Sequence, residues 1–124
     1  MRTLVALSIA GAIGTLARYG VDGWVSDRTG SGFPWGTFVV NITGAFLLGL
    51  VFTVLTERLT LAAWVRSAVT IGFFGAYTTF STLSFETFRL AEDGQVMLAL
   101  ANALGSLIVG FAAVYGGVVL GRAI

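Results

Sequence analysis

The sequence contains no cysteine, no histidine and no lysine, and it has one proline among 124 residues. Without cysteine and histidine it lacks disulfides, the usual zinc ligands, a thiol nucleophile and the commonest general base. Charge is also scarce, because seven arginines and six acidic residues make up only 10% of the chain, against about 25% in a soluble domain. A net charge of +1 provides no field that would attract nucleic-acid phosphates. We therefore expect neither a soluble enzyme nor a nucleic-acid-binding protein.

The rest of the composition is strongly apolar. Hydrophobic residues make up 56% of the chain, and the mean hydropathy is +0.92. Seventeen glycines are many for an ordinary core but normal for closely packed membrane helices. The composition predicts an all-α integral membrane protein.

Charged residues divide the chain into uncharged stretches, because a charge at the bilayer centre costs at least about 2.5–3.5 kcal/mol. The stretches are residues 3–17, 29–56, 67–85 and 94–121, and a helix needs roughly 20 apolar residues to cross the hydrocarbon. We predict a single four-helix transmembrane domain over residues 1–124, with spans of roughly 3–24, 36–56, 64–90 and 94–121. The first span requires Arg18 to reach the interface or to pair with Asp22 one turn later. A cleaved signal peptide is the alternative for this segment.

Small residues in the fourth span indicate close helix packing. Gly117 and Gly121 form a small-xxx-small pair, which is typical of helices that associate in membranes. A chain of this size does not easily enclose a pathway alone, so we expect a homodimer with its site at the interface. The alternative is that these glycines only pack helices within one subunit.

The arginines give little indication of orientation. If both termini lie on one side, that side holds Arg2, Arg58, Arg66 and Arg122, and the other holds Arg18, Arg28 and Arg89. Positive charge normally marks the cytoplasmic side. The near balance leaves the orientation open, including insertion in both directions.

Polar residues within apolar spans are costly and tend to be functional. Thr37 and Asn41 lie four residues apart in the second span, and Asn102 and Ser106 share that spacing in the fourth, so each pair lies on one helix face. The alternative is that these side chains only join helices through hydrogen bonds.

The third span has an unusual centre. Between Gly72 and Glu86 it holds two glycines and five serine or threonine hydroxyls. Glycine favours helices poorly, and threonine side chains compete for backbone hydrogen bonds, so we predict a helix break near Gly75 to Thr79, in the middle of the membrane. Such breaks are tolerated where the freed carbonyls line a site or bind an ion. A continuous helix with hydroxyls bonded back to its own carbonyls remains the alternative.

The polar lining is uncharged apart from Glu86, near the end of the third span. Donors are plentiful, and the positive ring edge of Phe80 can also face an anion. The candidate donors are Thr37, Asn41, Ser81, Thr82, Ser84, Asn102 and Ser106. Such a lining favours a small, strongly hydrated anion, although hydroxyl oxygens can also coordinate a cation.

Residues 75–82, Gly-Ala-Tyr-Thr-Thr-Phe-Ser-Thr, resemble the Gly-x-x-Thr-Thr-Phe-Ser-Thr signature of the fluoride-channel family called CrcB or Fluc. The similarity extends to residues 11–14 with Arg18 and Tyr19, to residues 35–37 with Val40, Asn41 and Gly44, and to residues 105–107. It covers all four predicted spans in order.

The resemblance implies an antiparallel, dual-topology homodimer with two fluoride pores in a bacterial or archaeal inner membrane. It also implies a structural sodium ion at the dimer interface, which is not transported and is held by the main-chain carbonyls of Gly75 and Thr78. Asn41 would be the pore amide and Phe80 the first of two pore phenylalanines. Leu83 stands where the second is expected, so the fluoride site at that position would be weakened or absent.

The same resemblance assigns further residues to the pore wall. These are Thr37, Glu86, Asn102 and Ser106. The hydroxyl donors Ser81 and Thr82 are further candidates for the pore, and Arg18 is a candidate for a structural role. The implied activity is passive, non-enzymatic export of cytoplasmic fluoride, which lowers its toxicity.

Two other functions are compatible with a chain of this length. A small proton-coupled multidrug or guanidinium exporter would need a membrane-embedded glutamate in the first span, where the first acid is Asp22, near its end. A structural anchor without a pathway would tolerate replacement of Asn41 and of residues 79–84.

Overall fold

All regular secondary structure is helical in the part of the chain that the structure describes, residues 1–30 and 32–124 of a computed structural model. Its helices are α1 (Arg2–Thr29), α2 (Trp35–Thr53), α3 (Ala63–Ser67), α4 (Gly75–Tyr77), α5 (Phe80–Glu92) and α6 (Val96–Ala123). π-helical turns extend α2 over Val54–Arg58 and join α3 to α4 over Ala68–Phe74. The predicted all-α class is confirmed.

Three of these helical stretches are long and apolar enough to cross a membrane by length and composition. They are Arg2–Thr29, Trp35–Arg58 and Val96–Ala123, with hydropathies of 1.5, 2.3 and 2.1 over their most apolar windows. Helix α1 continues to Thr29 rather than ending near residue 24. The predicted third span corresponds to the shorter segments α3, α4 and α5 with the π-helical turns between the first two.

Large apolar side chains point outward along these helices. Leu16, Leu107 and Phe111 are each at least 70% exposed, whereas Val40, at the centre of the bundle, is fully buried. A water-facing surface of this kind would be unfavourable, since apolar area is stabilised by removal from water. Together with the three long apolar helices, it indicates a multi-pass membrane protein.

Helices α2 and α6 pack closely because glycine leaves the backbone bare. A Cβ added at Gly117 would overlap the carbonyl oxygen of Phe46, and one at Gly121 would lie 2.9 Å from Cβ of Thr53. The sequence spacing of this pair predicts contact between two copies of the chain. The structure instead places both glycines inside one protomer, against α2, so the alternative of packing within the subunit is correct for them.

Residues 63–92, from α3 to the end of α5, form what we call the third segment. Helix α1 approaches it in the same way. Gly14 lies against the carbonyl of Phe73, and Gly72 leaves room for Ala10 of α1. On the other side, a Cβ at Gly44 of α2 would overlap the side chain of Thr78. Glycines on three helices therefore bring α1 and α2 against the segment that contains the predicted break.

Replacing Gly117 by alanine tests this packing. Alanine is the better helix former by about 1 kcal/mol, yet its methyl group would collide with α2, and overpacking typically costs about 1–3 kcal/mol. We expect Gly117→Ala to lower the melting temperature in detergent, followed by tryptophan fluorescence. Gly105→Ala on the same helix is the matched control, because nothing lies within 4 Å of its added Cβ. Equal melting temperatures for the two variants would refute the packing argument.

Candidate functional site

The helical backbone of the third segment is interrupted at Thr78 and Thr79. Both residues are extended, with φ/ψ of −82°/158° and −149°/111°, and we call this pair the interruption. Gly75, at the start of the predicted range, is still helical. Helix α5 begins directly afterwards, where Thr79 accepts a hydrogen bond from the Thr82 backbone N–H as its N-cap.

The side-chain amide of Asn41 in α2 makes two hydrogen bonds to the interruption, one as donor and one as acceptor. The Thr79 N–H donates to Asn41 Oδ1 at 2.7 Å, and Asn41 Nδ2 donates to the Thr79 carbonyl at 3.1 Å. The side chain thus replaces the helical acceptor of the Thr79 N–H and gives a further donor to the Thr79 carbonyl, which as the N-cap carbonyl also accepts the first hydrogen bond of α5. Because the amide nitrogen carries two hydrogens, one remains for another acceptor.

Several carbonyls lose their helical donors at this point, among them those of Gly75 and Thr78. In a continuous α-helix the N–H of Thr79 would bond to the carbonyl of Gly75, and that of Thr82 to the carbonyl of Thr78. Here they donate instead to Asn41 and, at 3.3 Å, to Thr79 Oγ1. The carbonyls of Gly75 and Thr78, the two predicted metal ligands, are therefore released from the helix.

Arg18 contacts the same segment from α1. Its Nε donates to the carbonyl of Ala76 at 3.0 Å, which in a helix would accept from Phe80. The predicted ion pair with Asp22 is wrong, because the ion pairs within 4 Å among the described residues are Arg89–Glu92 and Arg122–Glu57. The main-chain carbonyl offers the guanidinium a partner at the point where the helix ends.

Thr37 and Glu86 meet between α2 and α5. The hydroxyl of Thr37 donates to Glu86 Oε1 at 2.8 Å, and Thr37 is buried. The second carboxylate oxygen of Glu86 is buried and has no hydrogen-bond partner in the described structure. A buried acceptor without a donor is costly, so this oxygen is a candidate for contact with water or a solute.

Asn102 and Ser106 lie side by side on α6, facing inward. Asn102 is fully buried and donates from Nδ2 to Thr87 Oγ1 at 3.0 Å. Its Oδ1 and the hydroxyl of Ser106 are buried without partners within the described residues. These two residues and Glu86 supply the buried polar side-chain atoms that remain open to a ligand or water.

Phe80 and Ser81 are not enclosed within the protomer. The Phe80 ring is 81% exposed and Ser81 is also exposed, whereas Leu83 and Thr82 are half-buried. Thr82 is tied to the interruption, since its hydroxyl accepts from Thr79 Oγ1 at 2.9 Å. The structure thus gathers most of the predicted polar residues inward and leaves the aromatic ring on the outer surface.

A cleft of about 200 Å³ opens between α1, α2 and the interruption. Its walls include Thr37, Thr79 and Thr82, with Arg18 and Asp22 along one side. A second, more open cleft of about 260 Å³ lies near the start of α2 and includes Glu86. The Thr37–Glu86 hydrogen bond therefore joins a residue of each cleft.

Three hydroxyl residues outside the predicted site set also hold the site together. Thr43 Oγ1 and the Tyr77 hydroxyl lie 2.9 Å apart, and Thr87 supports Asn102. The helical period places Thr43 on a different face from Asn41, so spacing along the sequence gives no signal for these contacts between helices.

The donor set constrains what metal the protein could bind. No group of three or more acidic side chains that could hold a metal ion occurs in the described part of the chain. Main-chain carbonyls are the alternative ligands for a hard cation, as in broken membrane helices. The released carbonyls of Gly75 and Thr78 fit such a role.

These features define a small helical membrane protein with polar side chains gathered around an interrupted helix. The family model described as "CrcB-like protein, Camphor Resistance (CrcB)" matches residues 5–118, and the chain belongs to this family. The resemblance predicted from the sequence is confirmed.

Curated relatives cover nearly the whole chain. Proteins named "Fluoride-specific ion channel FluC" are 50% identical over 118 residues in Solidesulfovibrio magneticus and 46% identical over 122 residues in Geobacter metallireducens. The alignments span 95% of this chain and 94% of the first relative, and 98% of both chains for the second. A relative from Geotalea uraniireducens is 42% identical over 124 residues, which is 100% of each chain. By their names these relatives are ion channels rather than enzymes, which is consistent with the prediction of a non-enzymatic protein.

Asn41→Leu tests the clamp on the interruption, by which we mean the two hydrogen bonds between the Asn41 amide and the backbone of Thr79. It leaves the N–H of Thr79 without its acceptor and removes one donor from the Thr79 carbonyl, and an unsatisfied buried group costs about 1–3 kcal/mol. We expect a lower melting temperature and faster hydrogen exchange over residues 78–82, measured by mass spectrometry in detergent. Thr43→Val is the control, because it removes one hydroxyl pair and leaves both Thr79 bonds in place. Unchanged exchange in Asn41→Leu would contradict the clamp.

Proposed function

We propose that this protein is a fluoride-selective channel that lets fluoride leave the cytoplasm passively across a bacterial or archaeal inner membrane. The observation that carries the proposal is the sequence identity of 46% and 42%, over 98% and 100% of the chain, with two proteins named as fluoride-specific ion channels. The uncharged donors around the interruption support it independently. A passive exit for the anion lowers its concentration, and hence its toxicity, in the cell.

The lining offers mainly uncharged donors, because Arg18, which also lines the cleft, directs its Nε to the carbonyl of Ala76. The free N–H of Asn41 and the hydroxyls of Ser81, Thr82 and Ser106 can replace part of the water shell of a small anion. Binding must be strong enough for the ion to be dehydrated and weak enough for it to leave. Neutral donors meet both needs better than a buried arginine or lysine would.

The outward position of Phe80 supports a pore formed by more than one chain. An aromatic edge is partly positive and can contact an anion, but in one protomer this ring lies on the outer surface. An antiparallel, dual-topology homodimer would cover this surface and create two equivalent pores. Leu83, half-buried three residues later, has no ring edge, so Phe80 carries the aromatic contribution.

The inward polar residues continue the proposed path beyond the interruption. The Thr37–Glu86 pair follows, and Asn102 and Ser106 add an amide oxygen and a hydroxyl without protein partners. An amide oxygen and a carboxylate accept rather than donate, so along this stretch water or the Ser106 hydroxyl would mediate contact with fluoride.

A structural sodium ion at the dimer interface is the cofactor we propose. The carbonyls of Gly75 and Thr78 would hold it, because each has lost its helical donor. When bound, the ion compensates the partial negative charge of these oxygens. Arg18 has a positioning role, since it occupies the neighbouring carbonyl of Ala76.

The proton-coupled exporter finds no support in the relatives, and α1 carries no acidic residue before Asp22. A structural anchor would keep its function when Asn41 or residues 79–84 are replaced, whereas a channel would lose fluoride efflux.

Efflux from proteoliposomes tests the channel. Fluoride measured with an electrode should leave rapidly and chloride should not. Phe80→Ile removes the ring edge, whose contact is worth up to about 1.5 kcal/mol, so fluoride efflux should slow by up to about tenfold. Phe111→Ile, an equally exposed ring on α6, is the matched control and should leave efflux unchanged. Wild-type vesicles that retain fluoride would refute the channel, and full efflux through Phe80→Ile would refute the role of its ring.

Replacement of sodium tests the proposed cofactor. A ligand that binds only the folded state stabilises it by about 2.7 kcal/mol at one hundred times its dissociation constant. After dialysis into lithium or potassium at equal ionic strength, we expect a lower melting temperature and less dimer by light scattering, both restored by sodium. Identical behaviour in the three salts would argue against a sodium ion at Gly75 and Thr78.

A further inference from the structure

The cleft beside the interruption carries two opposite charges. Arg18 and Asp22 lie one turn apart on α1, both half-buried, and both line this cleft together with Thr37 and Thr79. No other arginine or acidic residue lines it in the described structure. Its walls therefore carry no net formal charge, although the neighbouring residues are donors suited to an anion.

The negative charge of Asp22 is not compensated by an ion pair with Arg18. Arg18 directs its Nε to the carbonyl of Ala76, and no ion pair within 4 Å joins it to Asp22 in the described residues. Asp22 Oδ1 accepts a hydrogen bond from Ser26 at 3.2 Å, which leaves its charge in place.

Glycine in α2 lets this carboxylate sit close to the start of that helix. A Cβ at Gly36 would overlap Asp22 Oδ1 and lie 2.6 Å from the Ser26 hydroxyl. Gly36 is the second residue of α2, and the first turn of a helix carries a partial positive charge. Asp22 thus offsets two features that would attract an anion, the Arg18 guanidinium and the beginning of α2.

We propose that Asp22 sets the rate of anion passage by opposing the access of anions to this cleft. Charge within a cleft of low-dielectric walls concentrates or depletes ions strongly, so one carboxylate there changes the local anion concentration. The proposal rests on the proposed fluoride channel and adds a rate-determining residue to it.

Asp22→Asn tests the proposal in proteoliposomes with a potassium ionophore to balance charge. At about 10 mM ionic strength, where the screening length is about 30 Å, we expect fluoride efflux to rise by about threefold to tenfold. At about 1 M the screening length falls to about 3 Å, and the gain should largely disappear. Asp27→Asn makes the same charge change on α1, at an exposed residue outside the cleft, and should leave the rate near that of the wild type.

Two further variants separate charge from structure. Asp22→Glu keeps the charge and should retain the wild-type rate and salt dependence. If Asp22→Asn does not yield a monodisperse protein, Asp22→Ser removes the same charge with a smaller side chain and should show the same gain.

The outcomes distinguish this proposal from the one on which it rests. If the wild type conducts fluoride and neutralisation of Asp22 leaves the rate unchanged, or if Asp27→Asn raises it equally, the role of Asp22 is refuted and the channel stands. If the wild type passes no fluoride at any ionic strength, the channel itself is refuted.

Discussion

The hydrogen bonds between Asn41 and the backbone of Thr79 are the interaction on which the site depends. Backbone groups at membrane depth must find partners within the protein, and two extended residues between helices release several of them. Asn41 supplies a donor and an acceptor to one residue, and Arg18 supplies a donor to Ala76 nearby. Gly14 and Gly44 allow this, because only bare backbones bring α1 and α2 so close to the third segment.

The same arrangement separates two kinds of polar group. Asn41 and Arg18 direct donors or acceptors to the backbone, whereas Glu86, Asn102 and Ser106 keep buried atoms without partners among the described residues. A protein selected only for stability would satisfy or remove such atoms, because each costs free energy. Open polar atoms of this kind, beside a backbone N–H that Asn41 satisfies, fit the proposed pathway for a weakly held solute.

Much of the local structure follows from the sequence, whereas the partners across helices do not. Sparse charge and apolar stretches predict long helices. Glycine and threonine predict a helix break near Gly75 to Thr79, and in the structure Thr78 and Thr79 are extended whereas Gly75 is helical. Spacing along one helix cannot tell which other helix its residues face. For this reason spacing suggests contact between copies for Gly117 and a pair with Asp22 for Arg18, although each finds its partner elsewhere in the same chain. The exposure of Phe80 likewise depends on the packing of the whole bundle rather than on its neighbours in sequence.

The order of these residues along the chain has a consequence for biosynthesis. Arg18 and Asn41 both precede the interruption, so a ribosome that delivers helices to the membrane in sequence has already placed the two clamping side chains when residues 75–82 emerge. The extended residues would then not be exposed to lipid while their backbone N–H and carbonyl groups lack hydrogen-bond partners. A circularly permuted chain that began after α2 would lose that advantage and would have to assemble its least lipid-compatible segment first.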